Sequence, residues 1–183
     1  NAPEFSAIIP LYDGAAYIRR ALESVLAQSF SSWEAVVADD GSPDGGRGAA
    51  EVEAMAREHP GRAVRLIRQE NRGLGAARNA AMRAARGRFF ALLDQDDSWH
   101  PEKLAKIKAA FERRPDAGIA CNREAVRQGG GVIRVNRYGP EAPDMFRAML
   151  FGGNRLSTSS TVIRRGVVEE IGYFSEDRAR LHL

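Results

Sequence analysis

Through its first hundred positions the chain alternates between two hydrophobic rhythms, short runs of consecutive apolar residues and longer stretches in which apolar residues recur every three or four positions. Strands covered on both faces have the first texture and amphipathic helices the second, so the alternation predicts βα units around a mainly parallel sheet. Four such units follow one another. Phe5–Leu11 reads as a strand, and a helix over about 15–28 puts Ile18, Leu22, Val25 and Leu26 on one face, with Asp13 upstream as its cap. Residues 33–38 form a second strand before a helix over about 48–58, which His59-Pro60-Gly61 ends. Val64–Arg68 is the third strand, and the helix after it has Leu74, Ala77, Ala81 and Ala84 as its buried stripe and Gly87 as its stop. Residues 88–93 form the fourth strand, leading through Asp94-Gln95-Asp96-Asp97 to a helix that opens at Pro101 and turns Leu104, Ile107 and Phe111 inward.

After Pro115 the texture changes. Residues 119–126 and 132–135 read as a hairpin around Gly129-Gly130-Gly131, followed by a short helix over 144–150, a strand over 157–163 and a short helix over 166–171. No repeat or linker interrupts the 183 residues, a length that suits one domain.

A composition of 44% hydrophobic and 28% charged residues, with 18 Gly and 8 Pro, excludes collagen-like, disulfide-scaffold and disordered chains. The single cysteine, Cys121, has no internal disulfide partner and reads as a packed small hydrophobe, which suits a reducing compartment. The net charge of +3 comes with 24 Arg against 3 Lys, scattered without a cluster, so a nucleic-acid surface is not indicated. Arginine's planar fork suits a phosphorylated ligand as well as it suits a solvated surface. No apolar run approaches the roughly 18 residues of a membrane span, and nothing near Asn1 resembles a signal peptide. A chain that starts without Met reads as trimmed.

Each of the four early strands ends in polar residues: Tyr12 and Asp13, Asp39 and Asp40, Asn71 and Arg72, and Asp94 to Asp97. In an open parallel sheet these ends share one edge, where such sheets bind ligands. In extended backbone Asp94 and Asp96 project to one side, and two adjacent carboxylates favour a hard divalent ion between them, Mg²⁺ or Mn²⁺. The competing reading makes Asp96, Asp97 and Ser98 a turn before the Pro101 helix. Gly73-Leu74-Gly75 invites a dinucleotide reading that fails at Arg78, which stands where a third glycine belongs, so the glycines tighten the turn or let backbone approach a ligand. His59, His100 and His182 lack any ligand-pair spacing, and no serine elbow or Cys/His nucleophile arrangement is present.

Taken together, residues 6–13, Val37-Ala38-Asp39-Asp40-Gly41-Ser42, Asn71-Arg72-Gly73 with Ala77-Arg78-Asn79, and Leu93-Asp94-Gln95-Asp96-Asp97 resemble family 2 glycosyltransferases. The resemblance continues through residues 159–165 and 170–174. It implies a GT-A fold, an α/β architecture with a mixed, mainly parallel sheet flanked by helices. It also implies one domain over 1–183, with a nucleotide-sugar-binding half at 1–97 and an acceptor-side half at 98–183 that stops short at its C-terminus. The implied activity is metal-dependent, inverting transfer of a sugar from a nucleoside diphosphate donor, UDP-sugar favoured, to an acceptor hydroxyl. A bacterial polysaccharide or other glycan is the implied acceptor, in the cytoplasm or at the inner face of the membrane as a peripheral associate.

By the same resemblance Pro10, Leu11, Tyr12, Asp13, Asp40, Arg72, Arg78, Asp94, Gln95 and Asp96 form the donor site. Tyr12 would stack on the base, Asp40 would accept the N3 proton of a uracil-like ring, Asp94 would face ribose and metal, and Asp96 would ligate Mn²⁺ or Mg²⁺. Asn71, Arg72 and Arg78 would lie near base or phosphates, and Asp39 looks more like loop support. The family's catalytic base lies in an acidic motif downstream of the segment matched by Gly172-Tyr173-Phe174. Here the chain departs: Glu176 matches the acidic residue just after that phenylalanine, and Asp177 is a poor substitute for the base. The alternative implied is a nucleotide-sugar binding module without transferase activity. Nucleotidyl transfer is disfavoured because no Gly-rich phosphate loop opens the chain.

Overall fold

The computed structural model describes residues 2–137, 147 and 156–177. Every residue of β1 (Phe5–Leu11) and β2 (Trp33–Asp39) is buried, as their continuous apolar texture requires of strands covered on both faces. In chain order the other elements are α1 (Ile18–Leu26), α2 (Arg47–Glu58), β3 (Val64–Arg68), α3 (Leu74–Ala84), β4 (Phe89–Leu92), α4 (Lys103–Arg113), β5 (Ile119–Cys121), β6 (Glu124–Gln128), β7 (Gly131–Asn136), β8 (Thr161–Arg164) and α5 (Arg165–Ile171). A six-stranded sheet has the order β3-β2-β1-β4-β8-β5. Its first four strands are parallel, and β8 runs antiparallel to both β4 and β5.

Alternate side chains of the central strands feed two cores. Phe5, Ile9 and Leu11 pack with Ile18, Leu22 and Val25 of α1, Val52 and Met55 of α2, and Leu104 and Ile107 of α4. On the other face Ile8, Val36 and Phe90 pack with Ala77, Ala81 and Met82 of α3 and Val168 of α5. The first core is filled by Phe89 stacked between Phe5 and Phe111, with ring centroids 5.1 and 4.5 Å away.

Several boundaries differ from the sequence reading. α1 starts at Ile18 and not at 15, because the Gly14 carbonyl accepts the Tyr17 and Ile18 N–H groups in a turn that precedes it. Asp13 therefore does not cap α1. It has φ 49°, and its N–H donates to Ser42 Oγ at 3.2 Å. The stretch 119–126 is not one strand: β5 joins the large sheet through β8, while β6 pairs with β7 in a separate hairpin. The break falls at Asn122, whose N–H donates to the Ser160 carbonyl at 3.2 Å. Residues 158–160 form a 3₁₀ turn before β8, so the strand expected over 157–163 begins late. The helix expected over 144–150 lies outside the described residues except at 147.

Candidate functional site

From β1 the chain moves outward through β2 and β3, then returns to place β4 on the other side of β1. At such a reversal the connections leave in opposite directions and the carboxyl ends of the two strands open a crevice. A cleft of about 560 Å³ lies there, lined by Pro10, Leu11, Tyr12, Asp40, Asn71, Gly73, Leu74, Ala77, Asp94, Gln95 and Asp96. That volume falls in the range of small-molecule sites. Seven of the ten residues expected to hold a donor thus line one cavity. Asp13 and Arg72 stand beside it as chain neighbours of Tyr12, Asn71 and Gly73, Arg78 through its bond to Asp94, and Asp177 is not among the lining residues.

Asp40 is buried at the end of β2. Its Oδ1 accepts Gln69 Nε2 at 2.6 Å and the Arg72 N–H at 2.8 Å, and its Oδ2 accepts the Gly73 N–H at 2.7 Å. Three of roughly four acceptor positions on this carboxylate are therefore filled by the chain itself. Asp40 fixes the loop between β3 and α3, and Gly73, at φ 92°, makes the turn. Asp39 supports its own loop, with Oδ1 accepting the Ser42 N–H at 3.1 Å and the Ser42 hydroxyl at 2.6 Å. Gly75 serves a close approach as expected, but to the chain's own backbone: a Cβ there would collide with the Ser175 carbonyl.

The Asp94–Asp97 loop is held from several directions. Arg78, largely buried, donates from Nη2 to Asp94 Oδ1 at 2.7 Å, and its guanidinium carbon lies 5.7 Å from the centre of the Phe174 ring. The Asp94 N–H donates to Ser159 Oγ at 3.0 Å, and Arg20 donates to the Asp96 carbonyl. Gln95 reaches across the cleft: its Oε1 accepts the Tyr12 N–H at 2.9 Å and its Nε2 donates to the Tyr12 carbonyl at 2.9 Å. The Tyr12 ring is left half exposed at the mouth. Burial pushes the Asp97 carboxyl above its usual range, the Ser159 hydroxyl bond opposes this, and the charges of Asp96, Asp94 and Glu124 add to the rise.

Sequence reasoning gave no role to three residues that brace the site, two of them at this loop and one at α3. Ser159 receives the Asp94 N–H on its hydroxyl, while its carbonyl accepts Trp99 Nε1 at 3.0 Å and Lys103 Nζ at 2.8 Å. Lys103 is buried, donates also to Asn122 Oδ1 at 2.6 Å, and lies 5.0 Å from the centre of the Trp99 ring. Burial lowers its ammonium pKa to about 7, against the upward pull of Cys121 and Glu124. One signal was present: Lys103 precedes Ile107 and Phe111 by four and eight positions and so sits on the inward stripe of α4. The third is Glu176, whose carboxylate lies well below its usual range because Asn79 donates to it and Arg83 and Arg72 pair with it.

Three carboxylates line the cleft, but Asp40 is taken up by the chain's own N–H groups, which leaves Asp94 and Asp96; among the described residues no group of three or more His, Cys, Asp or Glu converges as an ion cage. This donor set fits a Mg²⁺-type ion that takes one or two carboxylates and completes its shell with substrate phosphate and water. It does not fit a closed structural site.

Residues 6–172 match the protein family described as Glycosyl transferase family 2. The chain belongs to this family. An uncharacterized glycosyltransferase of Nostoc sp. is 35% identical over 173 residues, which cover 92% of this chain and 53% of the relative. The chain thus spans about half the length of that family member. Among solved structures, S. aureus TarS 1–349 in complex with UDP superposes with a TM-score of 0.69 at 24% identity, over 94% of this chain and 50% of that one. The mannosyltransferase PcManGT from Pyrobaculum calidifontis, in complex with GDP-Man and Mn²⁺, gives a TM-score of 0.73 at 23% identity, over 97% and 49%. At these identities the likeness concerns the fold, and the sheet described above is the expected GT-A architecture of family 2.

Proposed function

We propose that this chain carries the donor-binding domain of a family 2 glycosyltransferase, which transfers a sugar from a nucleoside diphosphate to an acceptor hydroxyl with inversion. The observation that carries the reading is the convergence of Tyr12, Asp40 and the Asp94–Asp96 loop on one cleft at the reversal between β1 and β4. The half-exposed ring of Tyr12 offers a face for the base, and the Asp40-fixed loop turns Asn71 and Gly73 toward the ligand. UDP is the favoured nucleotide, through the one acceptor position left on Asp40. Residues 1–97 hold the donor and 98–183 face the acceptor, with a glycan as acceptor.

In the reaction the acceptor oxygen forms a bond to the anomeric carbon as the bond from that carbon to the diphosphate breaks, and a base takes the hydroxyl proton. A divalent ion bound by Asp94 and Asp96 would supply Lewis-acid neutralisation of the departing diphosphate. Arg78 holds Asp94 in position for that role, and Arg72, paired with Glu176, stands between the lining residues Asn71 and Gly73. Asp177 is the candidate base that the family resemblance offers within the chain, and its neighbour Glu176 is engaged by Asn79, Arg83 and Arg72. The departure from the family's acidic motif after Phe174 favours a second reading, a donor-binding module without turnover of its own. Acceptor-dependent release of nucleoside diphosphate by these 183 residues excludes that reading. Among the described residues no helix is long and apolar enough to cross a membrane, and the proposed setting is the cytoplasm or the inner membrane face.

Thermal unfolding with UDP, GDP, dTDP and ADP, each with and without Mn²⁺, tests the reading. A ligand at 100 times its Kd adds about 2.7 kcal/mol, a rise of roughly 5–10 °C in Tm at this chain length. The expected result is a Mn²⁺-dependent rise for UDP that Asp96→Ala removes. Absence of a rise with all four nucleotides overturns the assignment.

A further inference from the structure

β1 and β4 pair in parallel from Phe5 with Phe89 to Ile8 with Leu92, and the Leu93 N–H donates to the Ile8 carbonyl at 3.0 Å to close the ladder. Beyond it the two chains diverge around the cleft, and a side chain joins them again. The carboxamide of Gln95 presents one donor and one acceptor, as a peptide unit does, and pairs with both the N–H and the carbonyl of Tyr12 at 2.9 Å each. The chain also makes room for it. A Cβ on Gly14 would run into Gln95 Oε1, its nearest contact, and then into the Leu11 side chain, although the Gly14 backbone is not in the left-handed region.

We infer that Gln95 is a positioning residue, whose amide acts as a surrogate backbone pair and makes the Tyr12 loop and the Asp94–Asp97 loop a single frame. Rather than contacting the donor through its amide, Gln95 sets the spacing between the base platform and the diphosphate end before a ligand arrives. This rests on the reading of the cleft as a nucleoside diphosphate site. A ligand that spans both loops gains from the fixed spacing, because the ordering cost is removed in advance. A ligand that touches only the Asp94–Asp96 end does not.

The test is a double-mutant cycle on Gln95→Ala and Gly14→Ala, with Kd measured by calorimetry for UDP and for inorganic pyrophosphate, both in Mn²⁺. Each single variant is expected to weaken UDP on the order of tenfold, as loss of preorganisation by two hydrogen bonds implies, with pyrophosphate unchanged. The double variant is expected to lose less UDP affinity than the sum of the two singles, since the Gly14 Cβ and Gln95 meet in one contact and only the Leu11 contact is left in the Gln95→Ala background. Unchanged UDP affinity, equal losses for UDP and pyrophosphate, or fully additive losses would each overturn the inference. Amide hydrogen exchange at Tyr12 supplies a readout that needs no ligand: it is slow in the parent and roughly tenfold or more faster in Gln95→Ala. Equal exchange in the two proteins sinks the frame. A protected Tyr12 amide in a parent that binds none of the four nucleotides leaves the frame standing and removes the donor-site reading instead. If Gln95→Ala does not fold, Gln95→Met keeps the length of the side chain, removes the amide and carries the same predictions.

Discussion

Lys103 is the residue whose burial has the clearest thermodynamic consequence. Its two acceptors, Asn122 Oδ1 and the Ser159 carbonyl, are neutral, so no fixed negative charge in hydrogen-bond contact offsets the loss of hydration. The unfolded chain holds this proton up to about 10.5 and the folded one releases it near 7. Between those values the unfolded state binds more protons, so stability rises with pH across the window. By linkage the gain between pH 7 and 9.5 is about 2–3 kcal/mol, below the full 1.36 kcal/mol per unit because the folded lysine still keeps part of its proton near pH 7. Denaturant titrations at the two pH values should show this gain in the parent and a flatter response in Lys103→Met, which should also be the more stable protein at pH 7. Equal pH responses would show that Lys103 keeps its proton in the folded state. The sequence did show that Lys103 shares a stripe with Ile107 and Phe111, but not which oxygens would meet it, because Ser159 lies 56 positions away.

At the scale of elements, α3 organises the far side of the cleft. Its N-terminal loop hangs on Asp40, Arg78 reaches Asp94, and Asn79 repeats the device used by Gln95: its Nδ2 donates to the Phe174 carbonyl at 2.8 Å while its Oδ1 accepts the Phe174 N–H at 3.0 Å. Gly75, one turn earlier, lets the backbone at Ser175 lie close, so the segment 172–177 is strapped along the helix. Asn79→Ala should lower stability by about 1–3 kcal/mol, the cost of leaving buried partners unpaired, and should speed proteolytic cleavage within 172–177. Unaltered cleavage would mean that the aromatic contacts of Tyr173 and Phe174 with Arg83 and Arg78 hold the strap without Asn79. The strands and helical stripes were legible because hydrophobic period is a local signal that a dozen residues suffice to carry. The two amide pairings were not, since they join positions 83 and 95 apart and any Gln or Asn could make or omit them. For the same reason Asp13 read as a helix cap, when the Gly14 turn moves the start of α1 to Ile18.

At the scale of the whole molecule, burial divides the chain unevenly. β1 and β2 are wholly enclosed, whereas β6 and β7 form a two-stranded hairpin exposed along most of its length. Two strands without a covering layer have little to hold them, so amide protection in β6 and β7 should lie roughly 100-fold or more below that of β1. Equal protection would show that the hairpin unfolds only with the core. The polar strand ends made the edge that holds the cleft legible, but the antiparallel placement of β8 was not, because pairing direction leaves no periodic trace. That placement also bears on how the protein is made. Every residue lining the cleft has left the ribosome once Asp96 has emerged, yet the hydroxyl that pins Asp94 belongs to Ser159 and the ring beside Arg78 to Phe174. A nascent chain therefore carries its binding groups for nearly eighty residues of synthesis before the last of them is fastened, and competence to hold a ligand arrives late, with the segment that follows the closing strand.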